Sequence, residues 1–215
     1  MIRSYGSGGA SLAGALLAGL LACAGDPAPA FAATGCDLNN PDRDVPRIFP
    51  GSTRYTAKYR SPTPAELAAT VAQLDERFRA VYDPLNVPYT LYEIYRQDEK
   101  IGYIHGVNQK GQFGGLQVFV ALDMWGTVRS FYIQKMVGRS AGLFRDDKFG
   151  KAFIGISLKD FRSYDPVQGK GSGPLAAIRN PAPDMETDFY GVLRALKKNL
   201  VLMDVFVFSA GRKLP

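Results

Sequence analysis

Between Tyr89 and Lys135 the chain holds four runs of alternating or apolar residues, separated by turns too short to carry a crossover. The runs are Tyr89 to Arg96, Ile101 to Gln109, Leu116 to Asp123 and Thr127 to Lys135. Between them lie Gln97-Asp98-Glu99-Lys100, the stretch Lys110 to Gly115, and a tight turn at Asp123-Met124-Trp125-Gly126. Parallel neighbours need a connection of a dozen residues or more, whereas short turns join antiparallel ones. The spacing therefore predicts an antiparallel meander. Leu116, Val118, Val120 and Leu122 share one face of the third strand.

Helical signals flank the strands. Thr63 is a candidate N-cap, with Pro64 at the first helical position and Glu66 in capping-box spacing. Leu67, Val71, Leu74, Phe78 and Val81 then form one stripe, predicting a helix from about Pro64 to Tyr82, ended by Asp83-Pro84. A short helix is expected from Asp147 to Ile154, and a loop over residues 163–183. A second long helix is expected from Met185 to about Asn199, with Asp184 as N-cap and Phe189, Val192, Leu193, Leu196 and Leu200 as its stripe. Val201 to Phe208 is rich in β-formers and is expected as a last strand. Ser52 to Tyr59 reads as a short strand with Tyr55 and Tyr59 on one face. The fold class is α+β, an antiparallel sheet packed by helices.

Three regions follow. Residues 1–32 have the form of a signal peptide: Arg3, the apolar run Leu12 to Ala24, and the small-x-small site Ala30-Phe31-Ala32. Leu20-Leu21-Ala22-Cys23 offers the other processing, a lipidated Cys23. Either way the mature chain is expected to be exported, to a bacterial periplasm, soluble or as a membrane-anchored lipoprotein. Residues 33–64, rich in turn formers, read as an N-terminal arm, and residues 65–215 as the α+β domain.

Composition removes several functions. The net charge of +6 is scattered, apart from Arg194, Lys197 and Lys198 on one helix. No nucleic-acid reader motif accompanies it, so nucleic acid is not expected as a partner; an acidic redox protein or a membrane surface suits the charge. With Cys23 removed or lipidated, Cys36 is alone and has no internal disulfide partner. No Cys-x-x-Cys-His occurs for attached haem, and no cysteine spacing for an iron–sulfur cluster. The acidic and amide residues from Asp37 to Asp44 lack the glycine and closing glutamate of a calcium loop. His105, the one histidine, cannot make a usual metal site alone and reads as a half-buried structural residue. No nucleophile with a base and no paired carboxylates point to hydrolysis.

The stretch that points to chemistry is residues 111–161. Phe113-Gly114-Gly115-Leu116 is a glycine turn entering a strand that ends in Leu122-Asp123-Met124-Trp125-Gly126. Ser140-Ala141-Gly142-Leu143-Phe144 is a small-residue loop, and Phe149-Gly150-Lys151-Ala152-Phe153-Ile154-Gly155 has Phe-x-x-x-Phe-x-Gly spacing. This order resembles the FMN-binding domain family, the flavin-carrying subunits of the Rnf complex and of the sodium-translocating NADH:quinone reductase. The likeness extends over roughly Gly102 to Leu200.

The resemblance implies an exported electron-transfer protein carrying FMN, with membrane-bound or periplasmic redox proteins of a respiratory chain as partners. The same resemblance implies an electron-transfer component rather than a stand-alone enzyme. The pocket would be built by Gly114, Gly115, Ser140, Gly142 and Leu143, with Phe113 as a ring contact and Lys148 or Lys151 for the phosphate. Family members with covalent FMN carry a Ser/Thr-Gly-Ala-Thr-x-Thr motif before the last helix. Here the chain reads Pro181-Ala182-Pro183-Asp184-Met185-Glu186-Thr187-Asp188. Thr187 is the one hydroxyl nearby, and carboxylates on both sides would repel a phosphate dianion. Non-covalent flavin is therefore expected. The rival is a cofactor-free structural or assembly subunit of an exported redox complex.

Overall fold

The computed structural model describes residues 36–74 and 84–209. The segment 1–32, Cys23 and the predicted helical turns over 75–82 lie outside the described residues.

Five antiparallel strands run side by side in chain order: β1 (Arg54–Arg60), β2 (Tyr89–Arg96), β3 (Glu99–Lys110), β4 (Gly115–Leu122) and β5 (Val128–Lys135). The meander expected from residue 89 onward is present, and the short strand expected over Ser52 to Tyr59 forms over Arg54–Arg60 as a fifth strand at one edge. Local chemistry sets the turns. Gln97 takes a positive φ of 54° between β2 and β3. Between β4 and β5 the carboxylate of Asp123 accepts from the backbone N–H of Trp125 and of Thr127, both at 2.9 Å, while Gly126 supplies φ +85°.

The sheet is covered on both faces. Leu116, Val118, Val120 and Leu122 face the larger core, against α5 (Glu186–Met203), which packs on β3 and β4. Phe119 and Ala121, pointing the other way, join Ile94 and Ile104 in a second core. That core is closed by Cys36, Leu38 and by Val45, Ile48 and Phe49 in and after α1 (Pro41–Ile48). The segment read from sequence as an arm thus supplies both a face cover and an edge strand. Gly106 makes room for Phe119: a Cβ there would lie 2.3 Å from the ring. Burial pushes the Cys36 thiol up to about 12, with Asp37 adding to the shift.

The helices begin as their caps dictate, with exceptions. In α2 (Pro64–Leu74) the Thr63 hydroxyl accepts from Glu66 N–H at 3.2 Å, and the Glu66 carboxylate accepts from Thr63 N–H at 2.9 Å, a complete capping box. The short helix is α3 (Asp147–Lys151), three residues shorter than expected, and α4 (Leu158–Phe161) follows. Asp184 is not the cap of α5. It lies in a 3-10 turn (Pro183–Met185) with Met185 at the N-cap position, and its carboxylate instead accepts from the Ser140 hydroxyl at 2.9 Å.

The predicted last strand is absent. Val201, Leu202 and Met203 extend α5, and a π-helical turn (Asp204–Phe208) follows. Val201, Leu202, Met203, Val205 and Phe206 are all buried. A helix buried all round shows no 3.6-residue contrast, and its β-branched and aromatic content then imitates a strand.

His105 is fully buried, not half-buried. Its Nδ1 lies 2.9 Å from the Asn199 side-chain oxygen, and the Asn199 amide donates to the His105 carbonyl at 2.9 Å. Tyr89 and Phe206 pack beside the ring. Burial drives the imidazole down to about 4, outweighing the bond to Asn199. The folded pKa is below the unfolded one, so the unfolded chain takes up the proton first. The stability is fully present above the unfolded value and is lost as pH falls from there towards 4. Urea unfolding should show a decline of up to about 3 kcal/mol over that window, which His105→Asn lacks. In NMR the single imidazole should show no titration at pH 6 to 7; a midpoint in that range would refute the shift.

Candidate functional site

The loops that follow β3 and β5 meet the start of α5. In the β3–β4 turn, Gly111 N–H donates to the Gly114 carbonyl at 2.8 Å, and Gln112 N–H donates to the Asp188 carboxylate at 2.8 Å. Asp188, in the first turn of α5, is fully buried; its second oxygen has no hydrogen-bond partner among the described residues. Gly138, after β5, lies so close to Met185 that a Cβ would fall 2.3 Å from its methyl group, and the Phe113 ring stands on the same side at 3.5 Å. With φ +154° as well, this position requires glycine. Ser140 then ties the loop to Asp184.

The next residues fix the loop from below. Ala141 to Arg145 form a 3-10 turn. Phe144 is 1% exposed and meets Phe149 edge-on with ring centres 5.3 Å apart. Arg145 donates through Nε to the Ile133 carbonyl at 3.2 Å and through Nη2 to the Met136 carbonyl at 3.1 Å. Asp146 caps α3, accepting from Lys148 N–H at 2.7 Å. Phe149 and Phe153 of the Phe-x-x-x-Phe pair pack into the core, Phe153 stacked on Phe131 at 4.5 Å.

A cleft of about 500 Å³ opens between this loop, α3 and residues 177–181. Leu143, Phe149, Ala152 and Pro181 give it apolar walls; Lys148 and Arg179 bring two cations, Asp146 one carboxylate and Asn180 an amide. Its size is within the range of small-molecule sites, about 300–1,000 Å³. Apolar walls beside two cations suit a planar apolar group that carries an anion. A second recess, of about 400 Å³, lies across α3, between Arg47, Phe131, Tyr132, Arg145 and Lys151.

The nine residues singled out from sequence are thus divided. Leu143 and Lys148 line the larger cleft, with Ser140 and Gly142 on the loop that borders it. Phe113, Gly114 and Gly115 stand at the β3–β4 turn, and exposed Thr187 on α5; Asp188 links these two. Phe113 is 54% exposed. Among the described residues, a Cβ on Gly114, Gly115 or Gly142 would meet nothing within 4 Å; at Gly114 it is the φ of +143°, not crowding, that calls for glycine. Lys151 lines the second recess, across α3 from Lys148. Arg179, Asn180 and Pro181 were missed, because they lie in a segment with no periodic pattern. Asp188 was visible only as an acidic residue suited to a helix start.

Among the described residues, no group of three or more His, Cys, Asp or Glu side chains is placed to hold a metal ion, and no helix is long and apolar enough to cross a membrane. No protein-family model matches the chain, and no curated protein matches it. The fold and the cleft define a class no narrower than an α+β domain with a meander sheet and an open, cation-bearing cleft beside a glycine-containing loop.

If Asp188 is the latch of the β3–β4 turn, Asp188→Ala should destabilise the domain by about 1–3 kcal/mol and speed amide exchange at Gln112 more than in the strands. Unchanged exchange at Gln112 would show that the turn is held by other contacts.

Proposed function

We propose that this chain is a non-covalent FMN-binding, electron-transfer domain of an exported redox chain. The observation that carries it is the cleft of about 500 Å³, where Lys148 and Arg179 stand beside apolar walls next to the glycine-containing loop. The order of motifs along residues 111–161 gives the resemblance that names the ligand. Membrane-bound or periplasmic redox proteins would be its donor and acceptor.

The two candidate places for the phosphate differ in charge. At the start of α5, Thr187 is exposed, and Asp184, Glu186 and Asp188 all lie within its turn or next to it. Glu186 accepts from the Tyr190 hydroxyl at 3.0 Å, and Asp188 holds Gln112. Three carboxylates do not fit a phosphate ester on Thr187, so no covalent bond is assigned there. In the cleft the residues do fit. Lys148 and Arg179 would hold the phosphate, Arg179 being anchored by its bond to the Ala176 carbonyl at 2.7 Å. Leu143, Phe149, Ala152 and Pro181 would exclude water from one side of the ring. Bound FMN would supply the redox chemistry, and the protein the position and field around it.

A second reading, a cofactor-free structural subunit of such a complex, is favoured by the way the loop is filled. Phe144 occupies the space beneath it, and Arg145 ties it to two carbonyls of the β5 region.

Protein purified from the periplasm should carry flavin that acid precipitation releases to the supernatant, and the stripped protein should quench FMN fluorescence on titration. Lys148→Glu and Arg179→Glu should each weaken FMN at least about tenfold, near 1.4 kcal/mol, with little change for riboflavin, which lacks the phosphate. Thr187→Ala should leave the flavin content unchanged. Protein that takes up no FMN after incubation would leave the structural subunit standing.

A further inference from the structure

The two edges of the sheet are treated differently. The outer side of β5 is engaged by its own chain towards both ends. Val128 N–H donates to the Ile156 carbonyl, and Gly155 N–H donates to the Val128 carbonyl, both at 2.8 Å. Further along, the Arg145 guanidinium takes the carbonyls of Ile133 and Met136. At the opposite edge, β1 pairs with β2 through seven consecutive residue pairs, from Arg54↔Tyr95 to Arg60↔Tyr89, with no bulge. Among the described residues, no backbone group bonds to its outer side. Every second residue of β1 therefore presents its N–H and C=O outward, along a strand with no proline and no positive φ.

Such an edge is a template for a further strand. Its side chains restrict which one. Arg54, Thr56, Lys58 and Arg60 share one face, and Tyr55, Ala57 and Tyr59 the other. A second copy of β1, paired antiparallel about Ala57, would set Arg54 opposite Arg60 at both ends, and directly opposed like charges destabilise a ladder. The cations are only partly neutralised within the chain. Lys58 and Lys100 both lie 2.9 Å from the same oxygen of Glu93, so two ammonium groups share one carboxylate. Arg54 stacks on Tyr95 at 3.9 Å and reaches Asp98 only at 3.9 Å. Arg60 pairs with Glu66. On the other face, Tyr59 is 61% exposed.

We infer that β1 is a docking edge for an extended segment of a partner protein, one in which acidic residues alternate with apolar or aromatic ones. The acidic set falls on the face of Arg54, Lys58 and Arg60, and the apolar set beside Tyr55 and Tyr59. Backbone hydrogen bonds supply the attachment, and the charge pattern admits acidic strands while rejecting a second copy of this chain.

The test uses the full mature chain and a synthetic nine-residue peptide with glutamate at alternate positions and valine or tyrosine between them, its ends capped. On titration, amide exchange should slow at alternate residues of β1. Binding should weaken about tenfold or more between low salt and roughly 0.5 M salt. The same peptide with lysine in place of glutamate should not bind. N-methylation of one alternating set of peptide residues should abolish binding, and of the other set should not. The inference is overturned if the lysine peptide binds equally well, if both N-methylated peptides retain binding, or if binding leaves the β1 amides unchanged. It is also overturned if the chain alone forms a dimer that Ala57→Pro dissolves, which would assign the edge to a second copy.

Discussion

The clamp between α5 and the middle of the sheet sets the position of everything around it. Asn199 reaches from α5 to both the ring and the carbonyl of His105 on β3, and its amide also approaches the Val118 carbonyl on β4 at 3.5 Å. Lys198 adds a bond to the Asn108 carbonyl at 3.1 Å, and Lys197 one to the Tyr164 carbonyl at 3.1 Å. A long helix laid over a sheet by apolar contact alone can slide by a turn at little cost. Polar groups buried at fixed points make such slippage costly, because each would lose its partner in the interior. With the helix axis fixed, its first turn falls beside the β3–β4 turn, and Asp188 can hold Gln112. The candidate cleft inherits its geometry from that chain of contacts.

The corner thus formed separates charge over a short stretch of chain. Asp184, Glu186 and Asp188 gather where α5 begins, while Lys148 and Arg179 stand on the cleft side of the loop. The acidic side is consistent with a helix start, where the backbone dipole favours negative charge. An anionic ligand approaching the loop therefore meets attraction from the cleft and repulsion from the helix end. That asymmetry is what the proposal of a phosphate site beside Lys148 and Arg179 rests on.

The meander was legible because alternation and short turns are local signals, and Tyr89 to Lys135 carry both without conflict. The Thr63–Glu66 capping box was legible for the same reason: its partners are three residues apart. What failed depended on distant neighbours. Val201 to Phe208 looked like a strand because a fully enclosed helix loses the polar face that marks its period. Asp184 had the chemistry of a cap, but Ser140, far away in sequence, claimed its carboxylate. His105 is fully enclosed because Asn199 satisfies one of its nitrogens, a pairing that no spacing reveals. At the candidate site, Leu143 and Lys148 could be singled out because they lie in the motif-bearing stretch. Arg179 could not, since it reaches the cleft from a loop with no pattern.

The enclosure of Cys36 bears on the chemical life of the chain. The residue is 1% exposed, and burial pushes its thiol pKa up to about 12. Thiol–disulfide exchange proceeds through the thiolate and needs an approach to the sulfur. Both are withheld while Val45, Ile48 and Phe49 cover that face of the sheet. Thiol reagents are therefore expected to react slowly with Cys36 as long as the fold is closed, and faster when the second core opens. Labelling of this one sulfur would then report the opening of the N-terminal cover as a clock, separately from the unfolding of the helical face.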